Sequence, residues 1–122
     1  MSHIVDIDTE VRDAVAAAAG CQRLGWAASI QGTAKMFSGR ATGLQVKFPG
    51  WRYPAVFDLK TGKAKIDNFG GRWGKQEQFD KFVQAYAVEK AKIEARKQGN
   101  LATEQLLADG SIKVTVQVGG GA

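Results

Sequence analysis

Residues 70–75, GGRWGK, have the composition of an anion-binding loop. Glycines before a helix leave backbone N–H groups open to a phosphate, and basic side chains add attraction. A nucleotide-binding P-loop, however, needs four residues between its glycines and a Ser or Thr after its lysine. Here three residues separate Gly70 from Gly74, and Gln76 follows the lysine. We interpret the glycines mainly as a tight strand-to-helix turn. The candidate anion-binding residues are Gly70, Gly71, Gly74 and Lys75.

Two aspartates, Asp58 and Asp67, fall on neighbouring predicted strands and could face each other as an acid–base pair. Three lysines surround them at positions 60, 63 and 65, so cross-strand ion pairing is the simpler expectation. The chain has one histidine, His3, and one cysteine, Cys21, which cannot make a zinc site of the usual composition. The sequence therefore predicts no enzymatic activity, no metal and no cofactor.

Aromatic and arginine side chains are interleaved in the centre of the chain. Such residues dominate protein contact hot spots and also stack on nucleic-acid bases. A Pro-Gly step before Trp51 and Pro54 after it predict a constrained, displayed loop. The alternative is that the aromatics fill the core while the arginines extend to its edge. Sequence leaves both interpretations open. The candidate partner-binding residues are Trp51, Arg52, Tyr53, Arg72 and Trp73.

Charge is concentrated in the same region. Residues 47–75 hold seven bases and two acids, a difference of five that equals the net charge of the whole chain, +5. A sequence pI near 9.5 keeps an acidic partner, including nucleic acid, under consideration. A charge of this size is also ordinary for solubility alone.

Length and composition predict one globular domain. The chain has 122 residues, of which 44% are apolar and 24% charged, so disorder is not expected. A lone cysteine cannot form an internal disulfide, and no signal-peptide pattern opens the sequence. The longest apolar run is too short and alanine-rich to span a bilayer. These features predict a cytoplasmic protein without a membrane role.

Hydrophobic periodicity places nine elements in the order β-α-β-β-β-β-α-β-β. We predict an α+β domain over residues 1–118, with a largely antiparallel sheet and both helices on one face. Residues 119–122 are predicted to form a flexible, glycine-rich tail. The predicted strands cover 3–8, 33–37, 42–48, 55–59, 63–68, 103–107 and 111–118, and the helices 10–24 and 76–97.

Details of packing also follow from the pattern. Thr9 is the expected N-cap of the first helix and Gly25 its left-handed stop. The alternation over residues 112–118 and the apolar stripe over 79–93 are expected to meet in one core, with Lys90 and Glu94 paired at helical spacing. The expected buried face of the first helix is Val11, Ala14, Val15, Ala18 and Cys21.

Several motifs together resemble one family of small proteins of unknown function, found in bacteria and as hypothetical reading frames of algal plastid genomes. They are the opening MSHIVDI, the turn FSGRATG, then PGWRYPAVFDLKTG, DNFGGRWG, YAVEKAKIEA and the closing ADGSIKVTVQV. The resemblance covers nearly the whole chain. It brings no catalytic residues. It implies gene neighbours that encode an AAA+ ATPase and another very small protein, and therefore an accessory or adaptor role.

The sequence as a whole favours a non-enzymatic, cytoplasmic protein-interaction or adaptor module, accessory to an AAA+ ATPase-linked complex. The expected partners are the ATPase and its small companion protein. The first alternative is a nucleic-acid-binding domain that uses the basic, aromatic centre. The second, weaker alternative is a structural subunit that forms homo-oligomers through its sheet edges.

Overall fold

The computed structural model describes residues 4–37, 39–67 and 74–118. Its elements follow the predicted order and confirm the α+β class. Helix α2 has the predicted bounds, and most strand ends shift by one to three residues. The elements are β1 (Val5–Asp8), α1 (Ala14–Leu24), β2 (Ile30–Met36), β3 (Gly39–Val46), β4 (Ala55–Asp58), β5 (Lys63–Ile66), α2 (Gln76–Lys97), β6 (Leu101–Leu106) and β7 (Ile112–Gln117). No helix in the described part of the chain is long and apolar enough to cross a membrane.

Five strands form an antiparallel sheet in the order β1-β5-β4-β3-β2. The β4–β5 turn contains a left-handed glycine, Gly62, whose φ is 76°. Its N–H donates to the carbonyl of Asp58 at 2.8 Å and closes the turn. The first strand of the chain, β1, reaches the far edge of the sheet and pairs with β5 there.

Alternation along the strands sends one set of side chains toward the two helices. Leu44, Phe57 and Ala64 are opposite one another in register and all lie in the main core. Phe57 contacts two aromatic rings of α2, with centroids 6.2 Å from Phe79 and 5.2 Å from Phe82. Burying one such phenylalanine stabilises the fold by about 1.5–3 kcal/mol.

The opposite face of the sheet has a smaller apolar cluster. It contains Ala34, Met36, Ala41 and Val56, with Ile4 and Tyr53 packed against it. Val56 points to this face because it precedes Phe57, and successive side chains of a strand point to opposite faces of the sheet. Its cross-strand neighbours are Gln45 and Lys65. Both faces of the sheet are therefore partly apolar, and the helices cover only one of them.

The predicted N-cap of α1 is wrong, and the predicted buried face is right for Val11 and Cys21 but wrong for its other three residues. Thr9 instead binds the β4–β5 turn, since its backbone N–H and its hydroxyl both donate to the Gly62 carbonyl. The helix begins after Asp13, whose carboxylate accepts the N–H groups of Val15 and Ala16 at 2.9 and 3.3 Å. Ala14, Val15 and Ala18 lie on the opposite side of the helix and are exposed. The buried helical residues are Ala16, Ala17, Gly20 and Cys21.

The predicted single core that joins β7 to α2 is also wrong. Strands β6 and β7 form a separate two-stranded sheet, and neither contributes a residue to the two buried clusters. The hairpin lies along α2, and polar contacts connect it to both helices. Arg23 of α1 donates to both carboxylate oxygens of Glu104 on β6, at 3.0 and 2.5 Å. The pKa of Glu104 is lowered because Arg23 hydrogen-bonds to its carboxylate.

Candidate functional site

The loop between β3 and β4 carries three of the predicted partner-binding residues. We call residues 48–53 the Arg52 loop. Gly50 adopts a left-handed conformation with φ of 78°, and the N–H of Trp51 donates to the Phe48 carbonyl at 3.1 Å. These features turn the chain sharply at the end of β3, as the Pro-Gly step in the sequence indicated.

Trp51 holds the loop against the body of the protein. Its ring meets the ring of Phe48 edge-on, with centroids 4.9 Å apart at 85°. Its indole N–H donates to the carbonyl of Lys75, at the start of α2, at 3.0 Å. The side chain is half-buried against the main core. Trp51 is therefore chiefly a structural residue that fixes the loop to α2.

The other two loop residues have different surroundings. Arg52 is exposed. Tyr53 is half-buried and packs against the small cluster on the opposite face of the sheet. Of the three loop residues, Arg52 is the exposed one, and Trp51 and Tyr53 are half-buried. The remaining predicted partner-binding residues, Arg72 and Trp73, lie outside the described residues.

The structure places only half of the candidate anion-binding set. Gly70 and Gly71 lie outside the described residues. Gly74 is buried, and a Cβ atom added there would overlap the indole ring of Trp51. Lys75 occupies the N-cap position of α2 and is exposed, while its carbonyl accepts hydrogen bonds from Trp51 and Gln78. The glycine at position 74 is thus required to accommodate an aromatic ring.

The two aspartates considered as an acid pair do not face each other. Asp58 is exposed, opposite Lys63, and its carboxylate accepts the N–H of Lys60 at 2.9 Å. Asp67 is buried beyond the end of β5, where its carboxylate accepts the N–H of Phe37 at 3.0 Å. Both carboxylates organise turns. Cross-strand pairing does occur nearby, between Lys65 and Asp6 at 3.0 Å.

The remaining candidate residues from the sequence are the lone cysteine, the lone histidine and the metal-ligating residue types. Across residues 4–37, 39–67 and 74–118, no three His, Cys, Asp or Glu side chains are grouped to hold a metal ion. Cys21 is fully buried, and desolvation raises the pKa of its thiol. A buried thiol of this kind is inert as a nucleophile. His3 lies outside the described residues.

A cluster of ion pairs joins the two helices. The sequence predicted one pair of this cluster. The predicted Lys90–Glu94 pair is present at 2.9 Å, and the same ammonium group contacts Asp13 at 2.9 Å. Hydrogen bonding to Lys90 lowers the pKa of Asp13 and also lowers the pKa of Glu94. Nearby, the Tyr86 hydroxyl accepts the N–H groups of Arg12 and Asp13. Asp13 thus both caps α1 and connects it to α2.

This cluster predicts a specific pH dependence. Because the folded-state pKa of Asp13 lies below its unfolded value, its stabilisation is present above the unfolded pKa and is lost as pH falls through the folded pKa. Asp13→Asn keeps a good N-cap but removes the charge, and should lower the free energy of unfolding at pH 7 by about 1 kcal/mol. The measurement is urea denaturation as a function of pH.

In acid, once Asp13 is protonated, the wild type and Asp13→Asn should become equally stable. Asp13→Ala serves as the control, since it also loses the cap and should cost about 1 kcal/mol more than the asparagine variant. A difference between wild type and Asp13→Asn that stays constant down to the lowest pH would contradict the assignment.

Comparisons of the chain with protein-family models, with curated proteins and with solved structures found no significant match.

Proposed function

We propose that this chain is a non-enzymatic, cytoplasmic protein-interaction module, an adaptor that binds its partner through the Arg52 loop. The observation that carries the proposal is the contrast within the loop. Trp51 fixes it to Phe48 and to the start of α2, while Arg52 between the two half-buried aromatics is exposed. A loop that is ordered before binding loses less conformational entropy on association, which favours affinity.

Charge indicates the chemistry of the partner. Lys47 immediately precedes the loop, and the carbonyl of Lys75 accepts the indole N–H of Trp51. Both lysines are exposed, and so is Arg52. A basic surface of this kind fits a protein surface that presents carboxylates, with Arg52 forming a bidentate pair. The family resemblance adds a specific proposal, an AAA+ ATPase or the small protein that accompanies it.

Nucleic-acid binding is the alternative. It is favoured by the excess of basic over acidic side chains in the centre of the chain. Single-stranded nucleic acid is usually bound by aromatic side chains on which bases stack. Of the aromatic residues described, Phe48, Phe57, Phe79, Phe82 and Tyr86 are buried, and Phe37 is the one that is more than half exposed. The buried positions of these rings give the protein-binding proposal more support.

The test is a charge reversal in the loop. Arg52→Glu should weaken binding to the purified neighbouring ATPase by about tenfold or more, because a hot-spot arginine contributes at least about 1–2 kcal/mol. It should also abolish any change that the protein causes in ATP hydrolysis. The control is Arg40→Glu, an equal charge reversal at another exposed arginine, which should leave binding within about twofold.

Three results would count against the proposal. The first is equal loss of binding in both variants, which would indicate non-specific attraction. The second is turnover of a substrate by the protein alone. The third is tight binding to RNA or DNA that falls steeply with salt, with no protein partner, which would establish the alternative.

A further inference from the structure

The C-terminal hairpin has an apolar face that α2 covers incompletely. Ala102 is opposite Val116, and Leu106 is opposite Ile112, so these residues share the face that also carries Val114 and its cross-strand neighbour Glu104, which is paired with Arg23. Ile112 and Val114 are half-buried, but Leu106, Val116 and Val118 are 74%, 45% and 82% exposed. A two-stranded sheet with this much exposed apolar surface is marginally stable by itself.

Strand β7 is also less protected than either edge strand of the five-stranded sheet. The edge strand β1 has four residues and carries Asp6 and Asp8, and the edge strand β2 contains Gly32 and Lys35. Short length, charges and glycine all discourage pairing with another chain. Strand β7 is longer than β1, is rich in β-branched residues and has a single charge, Lys113.

The hairpin turn determines which backbone groups of β7 point to the open side. The N–H of Leu107 donates to the Ser111 carbonyl at 2.8 Å. In an antiparallel ladder, hydrogen-bonded pairs alternate with non-hydrogen-bonded ones. The backbone groups of Lys113, Thr115 and Gln117 therefore point to β6, and those of Ile112, Val114 and Val116 point outward. The outward groups are N–H and C=O groups available to another strand.

We propose that β7 pairs antiparallel with β7 of a second copy of this chain, with Thr115 on the two-fold axis. This register places Val114 opposite Val116 and Ile112 opposite Val118, so that the outward-pointing backbone groups meet. It also places Lys113 opposite Gln117, with no like charges facing each other. Moving the two-fold axis from Thr115 to Lys113 would instead oppose the two copies of Lys113, which is unfavourable.

The result is a four-stranded sheet in the order β6-β7-β7-β6. At a strand spacing of about 4.8 Å, the centres of the two hairpins lie about 10 Å apart. Packed helices adopt similar separations, so the two copies of α2 fit side by side beneath the new sheet. The exposed Val116 and Val118 side chains then lie between them. This interface uses no residue of the Arg52 loop and stands independently of the proposed function.

The register can be tested by cross-linking. Thr115→Cys places two thiols across the axis in a non-hydrogen-bonded pair, with Cα atoms about 4.5 Å apart, which a disulfide can span. Oxidation should convert this variant almost completely to a covalent dimer. Thr103→Cys is the matched control, because Thr103 is the cross-strand neighbour of Thr115 on β6 and is also exposed. It should remain uncross-linked, as should the wild type with its buried Cys21.

Charge variants at Gln117 test the same register without covalent chemistry. In the Gln117→Lys variant, the new lysine of each copy lies opposite Lys113 of the other copy, so the dimer contains two like-charge pairs. The dimer dissociation constant, measured by light scattering or sedimentation, should therefore rise by about 3- to 10-fold. Gln117→Glu should lower it. Gln117 is exposed, so thermal stability should change little. A monomer at every concentration would overturn the proposal, as would cross-linking through Thr103→Cys in preference to Thr115→Cys.

Discussion

Replacing Trp51 with alanine should lower the free energy of unfolding by about 2–4 kcal/mol, near the lower end of values for buried aromatics because the ring is half-buried. The variant loses the edge-on contact with Phe48 and the hydrogen bond from the indole N–H to the Lys75 carbonyl. The loop would then detach from the start of α2. Chemical denaturation followed by circular dichroism measures the effect.

Gly74→Ala provides the partner variant. The added Cβ would overlap the indole ring, so Trp51 has to move and stability should fall. In the double variant Trp51→Ala/Gly74→Ala the overlap no longer exists, and the second substitution should cost much less than it does in the wild type. A coupling energy of about 1–2 kcal/mol is expected. Strictly additive effects would show that the two residues do not contact each other.

Because Trp51 supports the fold, loss of partner binding in Trp51→Ala would not identify a contact residue. Arg52→Glu is the sharper probe, since Arg52 is exposed at the same loop.

Gly62→Ala should destabilise the protein by about 2–4 kcal/mol. Two causes act together. The left-handed φ of 76° is unfavourable for alanine by about 1 kcal/mol. The added Cβ would also lie 2.5 Å from the Thr9 carbonyl oxygen, at the point where Thr9 binds the β4–β5 turn. The expected result is a lower melting temperature and faster proteolysis of the segment that precedes α1.

Gly110→Ala is the control for this prediction. Gly110 has a similar φ, 88°, but an added Cβ there meets nothing within 4 Å. Its substitution should therefore cost only the conformational penalty of about 1 kcal/mol. Equal destabilisation by the two variants would show that the close approach of Thr9 to Gly62 is unimportant.

The residues of α1 show how a correct element can be predicted with a partly wrong buried face. The sequence predicted a helix that ends at Gly25, and Gly25 is left-handed with φ of 70°. Both Thr9 and Asp13 are good N-caps, and local preference does not choose between them. The choice is made by the distant Gly62 carbonyl, which accepts two hydrogen bonds from Thr9. The buried helical residues are Ala16, Ala17, Gly20 and Cys21, of which the sequence predicted only Cys21.

The Arg52 loop shows a second limit. Pro, Gly and three large side chains in a row predicted a constrained loop between strands, and the loop is there. Whether Trp51 was core or surface depended on Gly74, which leaves space for the ring, and on the Lys75 carbonyl, which accepts its N–H. Those groups are more than twenty residues away in sequence, and no local pattern connects them to Trp51.

By itself, the sequence determined the order of helices and strands, the antiparallel pairing of neighbouring strands and the bounds of α2, because these follow from the period of apolar residues and from local turn chemistry. Only the tertiary structure decided which apolar faces are covered. The alternation in β7 predicted a strand correctly, yet alternation shows which side chains share a face and not what packs on that face. Phe57, Phe79 and Phe82 fill the space between the main sheet and α2, and the hairpin lies outside that core because contacts distant in sequence, which no local pattern encodes, place it along α2.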